Sequence, residues 1–216
     1  METTERQASD NARRAVLSTI RSRGSENYRA PAVRPAPPPL SETVKLAAYR
    51  DLVSQVMEDA LIGNNNRSKV FENSGAEHAA IVLDVMLDHA RAEVSLFTYE
   101  MDASIWHSEH VQGFLERNPN GIVRALVESN DVLTSSSSAL SQLQPQIAAG
   151  QVSVRRVAPN TTTAPHVVVV DRQHVRIESD HVLRKATVAF GNDDLGKSAG
   201  TLFDVLWKQA PPLTAR

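Results

Sequence analysis

Residues 166–181 read HVVVVDRQHVRIESDH. The run Val167-Val168-Val169-Val170 is apolar at every position, which marks a strand buried on both of its faces. The polar triplet Asp171-Arg172-Gln173 punctuates it as a turn, and Val175 to Glu178 then resumes a strand pattern, so the stretch predicts a β-hairpin. On the second strand His174 and Arg176 share one face while Val175 and Ile177 take the other. Working outward, Ala186 to Phe190 reads as one more strand, and Leu195 to Lys208 as a closing helix with Ala199, Leu202, Phe203 and Leu206 as its buried stripe.

Upstream, strand and helix alternate. Val94 to Phe97, Ile122 to Val127 and Val152 to Val157 read as strands, with helices expected over Ile105 to Arg117 and Ala139 to Ala148. Alternation followed by hairpin signals predicts an α/β fold, a mixed β-sheet flanked by helices on both sides. Two leading helices precede the sheet core. Ser41-Glu42 opens the first, with Val44, Ala48, Leu52, Val56 and Leu61 at helical spacing, and Gly63 with Asn64-Asn65-Asn66 stops it. The second runs from Ala76 to Arg91 and is apolar on more than one side. The expected organisation is therefore a domain over 41–216, with leading helices at 41–91 and the sheet core at 92–216.

Residues 22–40, SRGSENYRAPAVRPAPPPL, hold five prolines and few large apolar side chains. Such a stretch cannot bury enough surface to offset backbone ordering, so residues 1–40 are expected to be a disordered, Pro-rich extension. Within it, residues 11–21 place Ala12, Ala15, Val16 and Ile20 on one stripe, a fraying tail or a short helix that docks on a protein partner.

The 216 residues carry 23 basic and 25 acidic side chains, a net charge of -2 that demands neither nucleic acid nor an anionic membrane. The chain has no cysteine, which excludes disulfides, thiolate metal sites and a cysteine nucleophile. The N-terminus lacks the apolar core of a signal peptide, and no apolar run approaches the roughly 18 residues of a membrane span, so a cytoplasmic protein is expected. There is no phosphate loop of the Gly-x-x-x-x-Gly-Lys-Ser/Thr type.

The stretch from Ala92 to Ala210 resembles one half of the phospholipase D superfamily. That family's motif is His-x-Lys, four residues, Asp, six residues, then Gly-Ser-x-Asn. In it the histidine attacks phosphorus, the lysine and asparagine hold the non-bridging oxygens, and the aspartate and serine arrange the pocket. A second half, in the same chain or a dimer, supplies the general acid. Aligned on Asp171, this sequence has Ala164 at the nucleophile and His166 at the lysine. Asp171 and Ser179 match, Glu178 replaces the glycine, and His181 replaces the asparagine. The closing strand and the segment Leu202 to Trp207 also resemble the family's end. The resemblance implies the fold over a little more than half the chain, and a degenerate catalytic motif at His166, Asp171, Ser179 and His181. A slip of register leaves one escape, in which His166 acts as nucleophile with Arg176 or Lys185 neutralising the phosphoryl charge.

Other constellations are weaker. His166, His174 and His181 with Asp171, Glu178 and Asp180 do not converge from spacing alone, and no metal or other cofactor is expected. His107 and His110 read as a solvated helix face. Arg155, Arg156, Arg172, Arg176, Arg184 and Lys185 suit either a phosphate-binding surface for nucleic acid or anionic lipid, or ordinary charge paired with Asp171, Glu178 and Asp180. Thr134 to Ser138 and Asn192-Asp193-Asp194 read as helix caps.

Three functional readings follow. The first is a non-catalytic phospholipase D-like binding or assembly subunit, the second a phosphodiesterase or nuclease using His166 in a dimer, and the third a nucleic-acid or anionic-lipid binder without chemistry. A lone half-domain leaves its pocket face open, so a homodimer or a pairing with another half-domain around His166 is expected, unless the helices at 41–91 fold over that face as a lid.

Overall fold

The structure is a computed structural model that describes residues 41–62, 68–129, 131–157 and 165–213. The docking segment 11–21, the linker 22–40, Gly63 with the Asn64-Asn65-Asn66 stop, and Ala164 lie outside the described residues.

The elements in chain order are α1 (Glu42–Ile62), β1 (Lys69–Asn73), α2 (Ala76–His89), β2 (Glu93–Thr98), α3 (Ser108–Arg117), β3 (Ile122–Val127), α4 (Ala139–Gln142), α5 (Gln144–Ala148), β4 (Val152–Arg156), β5 (His166–Val170), β6 (His174–Asp180), β7 (Lys185–Phe190) and α6 (Asp193–Gln209). They form one seven-stranded sheet in the order β1-β7-β6-β5-β2-β3-β4. The alternating half of the chain supplies the parallel strands β2, β3 and β4. The hairpin half adds β5, β6 and β7 antiparallel, and β1, from ahead of the alternating half, pairs antiparallel with β7. The expected mixed α/β sheet is what forms.

The valine run explains the layering. Val168 and Val170 pack with Val94, Leu96, Val188 and Phe190 under α1 and α2, while Val167 and Val169 pack with Phe97 and Leu126 under Ala199 and Phe203 of α6. Every residue of β5 is buried. The leading helices thus take the lid position, and the broad face from which a partner was expected is covered by the chain itself.

Several local readings are corrected. In α1 the buried face carries Tyr49, Val53, Met57 and Ala60, whereas Val44 and Leu52 face solvent, Leu52 at 56% exposure. Val56 and Leu61 of the expected stripe do pack against the core, so the sequence pattern holds for the second half of this helix and misplaces the first. The sequence pattern marks no strand at β1, because a five-residue edge strand with Lys69 and Glu72 lacks a clear alternation and exists through its pairing with β7. Helix α3 starts three residues late, with Ile105 and Trp106 buried in the turn before it. The helix read over 139–148 breaks at Leu143, where Pro145 opens α5 and cannot continue a preceding turn. Ser138 and Asn192 cap their helices as read, accepting from Leu140 N and Leu195 N.

The two margins of the sheet differ. Along β4, Arg156 N donates to Pro211 O at 3.0 Å and Leu213 N to Val154 O at 3.0 Å, so the chain's end lies against that strand. On its outer side β1 pairs with no strand among the described residues.

Candidate functional site

The hairpin register builds the site. With Val170 opposite His174, every second pair faces the same way, and His166 falls opposite Glu178 with Arg176 one pair along the same face. His181, in the turn that follows β6, folds back over them. Its ring centroid lies 3.9 Å from that of His166, and its Nδ1 donates to Glu178 Oε1 at 2.8 Å. Arg176 Nη1 donates to the other carboxylate oxygen at 2.9 Å. Arg184 Nη1 stands 3.7 Å from Glu178 Oε1 and its Nη2 3.8 Å from Asp102 Oδ2. His166 Nδ1 is 3.8 Å from Glu178 Oε1, too far for a hydrogen bond, and finds no partner among the described residues although it is buried.

The electrostatics centre on Glu178, which is only 5% exposed. Burial alone pushes its carboxyl up, but the rings of His166 and His181 and the guanidinium of Arg176 outweigh burial and bring it down from 4.5 to about 2. The contribution of His166 comes through proximity, since its separation excludes a true hydrogen bond. Burial pulls Arg176 below its ordinary value, with Glu178 holding against it. Tyr49 of α1 lies over this charge; burial raises its hydroxyl and Arg176 opposes that. The Tyr49 hydroxyl and both side-chain atoms of Asn73, which shares the row of His166, Glu178 and Ala186, are also buried without a partner among the described residues.

Other motif positions lie elsewhere. Asp171 sits at the far end of β5, about 16 Å from His166 at the usual rise of a strand. Its carboxylate accepts from the backbone N–H groups of Arg91, Ala92 and Glu93 at 2.8, 2.9 and 2.9 Å, which ties the hairpin turn to the start of β2. Ser179 is exposed and donates to Lys185 O at 3.3 Å. The basic residues do not gather at the site. Arg155 lies over the Trp207 ring and donates to Trp207 O at 2.8 Å, and Arg156 lies on the same margin strand. Arg172 pairs with Asp204 of α6 at 2.6 Å, and Lys185 stands 3.8 Å from Glu72. Strand alternation and the span of the sheet separate them, so only Arg176 and the turn residue Arg184 meet Glu178.

The histidines behave differently from their reading. His174 lies at the opposite end of β6 from Glu178 and accepts from Gly191 N at 3.2 Å, whereas His166, Glu178 and His181 bring one donor atom each within 4.8 Å of the others. The turn length was the missed signal, because counting outward from Val170 and His174 pairs 166 with 178. His107 and His110 do not form a purely solvated face. Both reach carboxylates of α2, and the clue was Asp84 standing alone inside the apolar run AAIVLDVML.

Comparison with known proteins places this architecture. No family model and no curated protein matches the chain. Among solved structures, Nuc from Salmonella typhimurium, described as a phospholipase D family member, matches at 15% identity and a TM-score of 0.55, covering 69% of this chain and 100% of that one. NucT from Helicobacter pylori matches at 12% identity and a TM-score of 0.53, over 68% and 99%. TrmBL2, described as an archaeal chromatin protein with a novel mode of DNA binding, matches at 16% identity and a TM-score of 0.53; the match covers 80% of this chain and 65% of TrmBL2. The fold is that of the phospholipase D superfamily. No helix among the described residues is long and apolar enough to cross a membrane.

Proposed function

We propose that this chain is a phospholipase D-fold domain without phosphodiesterase turnover, which serves as a binding or assembly subunit. One observation carries the reading. Positions 166 and 181, which in the family hold the oxygens of the phosphoryl group, lie side by side here, but the anion among their donors is the chain's own Glu178 carboxylate. With its carboxyl held at about 2, that group is ionised at neutral pH and already engages Arg176 and His181. A phosphodiester entering this corner meets a fixed negative charge, and the donors of Arg176 and His181 are already taken by it.

The turn beside His181 supports an assembly role. Val182 and Leu183 are 91% and 61% exposed, at the end of the sheet where His166 lies. Adjacent apolar side chains projecting from a turn suit a second copy or another half-domain. The competing phosphodiesterase reading rests on the unpartnered His166 Nδ1. DNA binding without chemistry draws on the likeness to TrmBL2, but the dispersal of the arginines weighs against it.

The test is turnover of an aryl phosphodiester and of DNA by the wild type and by His166→Ala, with light scattering on the same preparations. We expect no turnover in either, and a mass above the monomer that falls to the monomer in a Val182→Asp/Leu183→Asp variant. Turnover lost in His166→Ala would establish the nuclease reading instead, and a strict monomer at micromolar concentration would remove the assembly role.

A further inference from the structure

Away from the Glu178 cluster, α2 and the start of α3 bring a second set of titratable groups together. Asp84 is 2% exposed, in the middle of the buried run 79–87 of α2, whose other residues are all apolar. His107 Nδ1 lies 3.1 Å from both of its oxygens, and His110 Nε2 lies 3.5 Å from Oδ2. A donor atom from each of Asp84, His107 and His110 falls within 4.8 Å of the other two. On the far nitrogen, His110 Nδ1 is 2.8 Å from Asp88 Oδ1. Arg50 of α1 reaches Asp84 Oδ2 at 3.2 Å and Asp88 Oδ2 at 3.5 Å.

We propose that Asp84, His107 and His110 form a binding site for a zinc-class divalent ion, with Asp88 orienting His110 from behind. The spacing fits the coordination chemistry. Metal–ligand bonds of about 2.0–2.1 Å in a tetrahedron set ligand atoms roughly 3.3–3.5 Å apart; the two histidine donors stand 3.1 and 3.5 Å from Asp84 Oδ2, and all three donor atoms lie within 4.8 Å of one another. Two imidazoles and one carboxylate select zinc and its late first-row neighbours over magnesium or calcium, which take all-oxygen shells.

The position of the second histidine nitrogen strengthens the assignment. Metal-bound histidines usually donate their other N–H to a carboxylate, which fixes the tautomer and raises the basicity of the ligating nitrogen. His110 has this arrangement, with Nε2 directed at Asp84 and Nδ1 held by Asp88. The charge also fits, because among the described residues Arg50 alone of the arginines and lysines forms an ion pair with Asp84 and Asp88, while the nearby Arg117 donates to the backbone carbonyls of Leu87 and Asp88. The other histidine-carboxylate cluster has the opposite balance, since Arg176 and Arg184 both stand at Glu178 and repel a cation. His107 and His110 are partly exposed, so an ion can reach the site from solvent, and three protein ligands leave a fourth position for water.

The experiment is titration of the full-length chain with zinc against a chromophoric chelator, together with thermal melts and cobalt absorption spectra. His107→Ala removes no capping bond of α3 but takes one partner from the buried Asp84, so the metal-free melt of each variant is recorded first to establish that it is folded. We expect one zinc per chain, a raised melting midpoint, and a cobalt spectrum of low-coordinate type. Binding should be lost in His107→Ala and His110→Ala, weakened about 10–100-fold in Asp88→Asn, and kept in His166→Ala and His181→Ala. Magnesium should have no effect. Absence of stoichiometric zinc binding, binding that survives in His107→Ala and His110→Ala, or binding lost through His181→Ala overturns the proposal.

Discussion

Replacing Asp171 by alanine tests whether the one motif position that sequence matching placed most firmly belongs to the chemistry or to the fold. The carboxylate accepts from three consecutive backbone N–H groups, those of Arg91, Ala92 and Glu93. Arg91 and Ala92 are exposed, so in the variant their N–H groups can turn to water, and each lost bond costs about 0.5–1 kcal/mol. Glu93 is partly buried, and its bond to a charged acceptor is worth about 1–2 kcal/mol. Asp171 also has φ 52°, a left-handed conformation that aspartate tolerates and alanine does not, for roughly 1 kcal/mol more. The sum is about 3–5 kcal/mol for Asp171→Ala. Asp171→Asn keeps one acceptor oxygen and the left-handed preference, and should lose about half as much. Urea denaturation of the three proteins gives these values from the midpoints at constant slope. Equal losses for Asn and Ala, or an alanine variant within about 0.5 kcal/mol of wild type, would refute the staple role.

The remaining predictions concern the site and the last helix. Glu178 stabilises the fold through a carboxyl held at about 2 against 4.5 unfolded, so its contribution is fully present above pH 4.5 and is lost as pH falls toward 2. The shift corresponds to roughly 3 kcal/mol, and access of water along the exposed His181 lowers this to about 2; Glu178→Gln should therefore unfold at lower urea at pH 7 and lose less than wild type between pH 4.5 and pH 2. Gly196→Ala should destabilise by about 3 kcal/mol or more, because a Cβ there would stand 2.1 Å from Arg172 O, and calorimetry reads the drop in melting midpoint.

Much of the fold was legible because its signals are local. β3 spans Ile122–Val127 as read, and the Asp171-Arg172-Gln173 turn closes the hairpin, since a uniform valine run and a polar triplet need no partner to be recognised. What failed depended on partners far along the chain. β1 owes its existence to β7, and in the first half of α1 only the sheet separates the outward Val44 and Leu52 from the inward Tyr49 and Val53. The site shows the same division. His166 and His181 were singled out by motif position, but their meeting depends on the register of β5 against β6, and Asp84 gains its meaning only when α3 lands beside α2.

The unequal margins of the sheet limit how molecules of this protein can join backbone to backbone. β4 is occupied by residues 211–213, which leaves β1 as the open edge among the described residues. Two molecules can meet there once, edge against edge about a twofold axis, and the encounter uses up the open edge of both. A fibre requires each molecule to offer two such edges, and the described residues offer one, so strand-to-strand growth of the sheet they form stops at a pair.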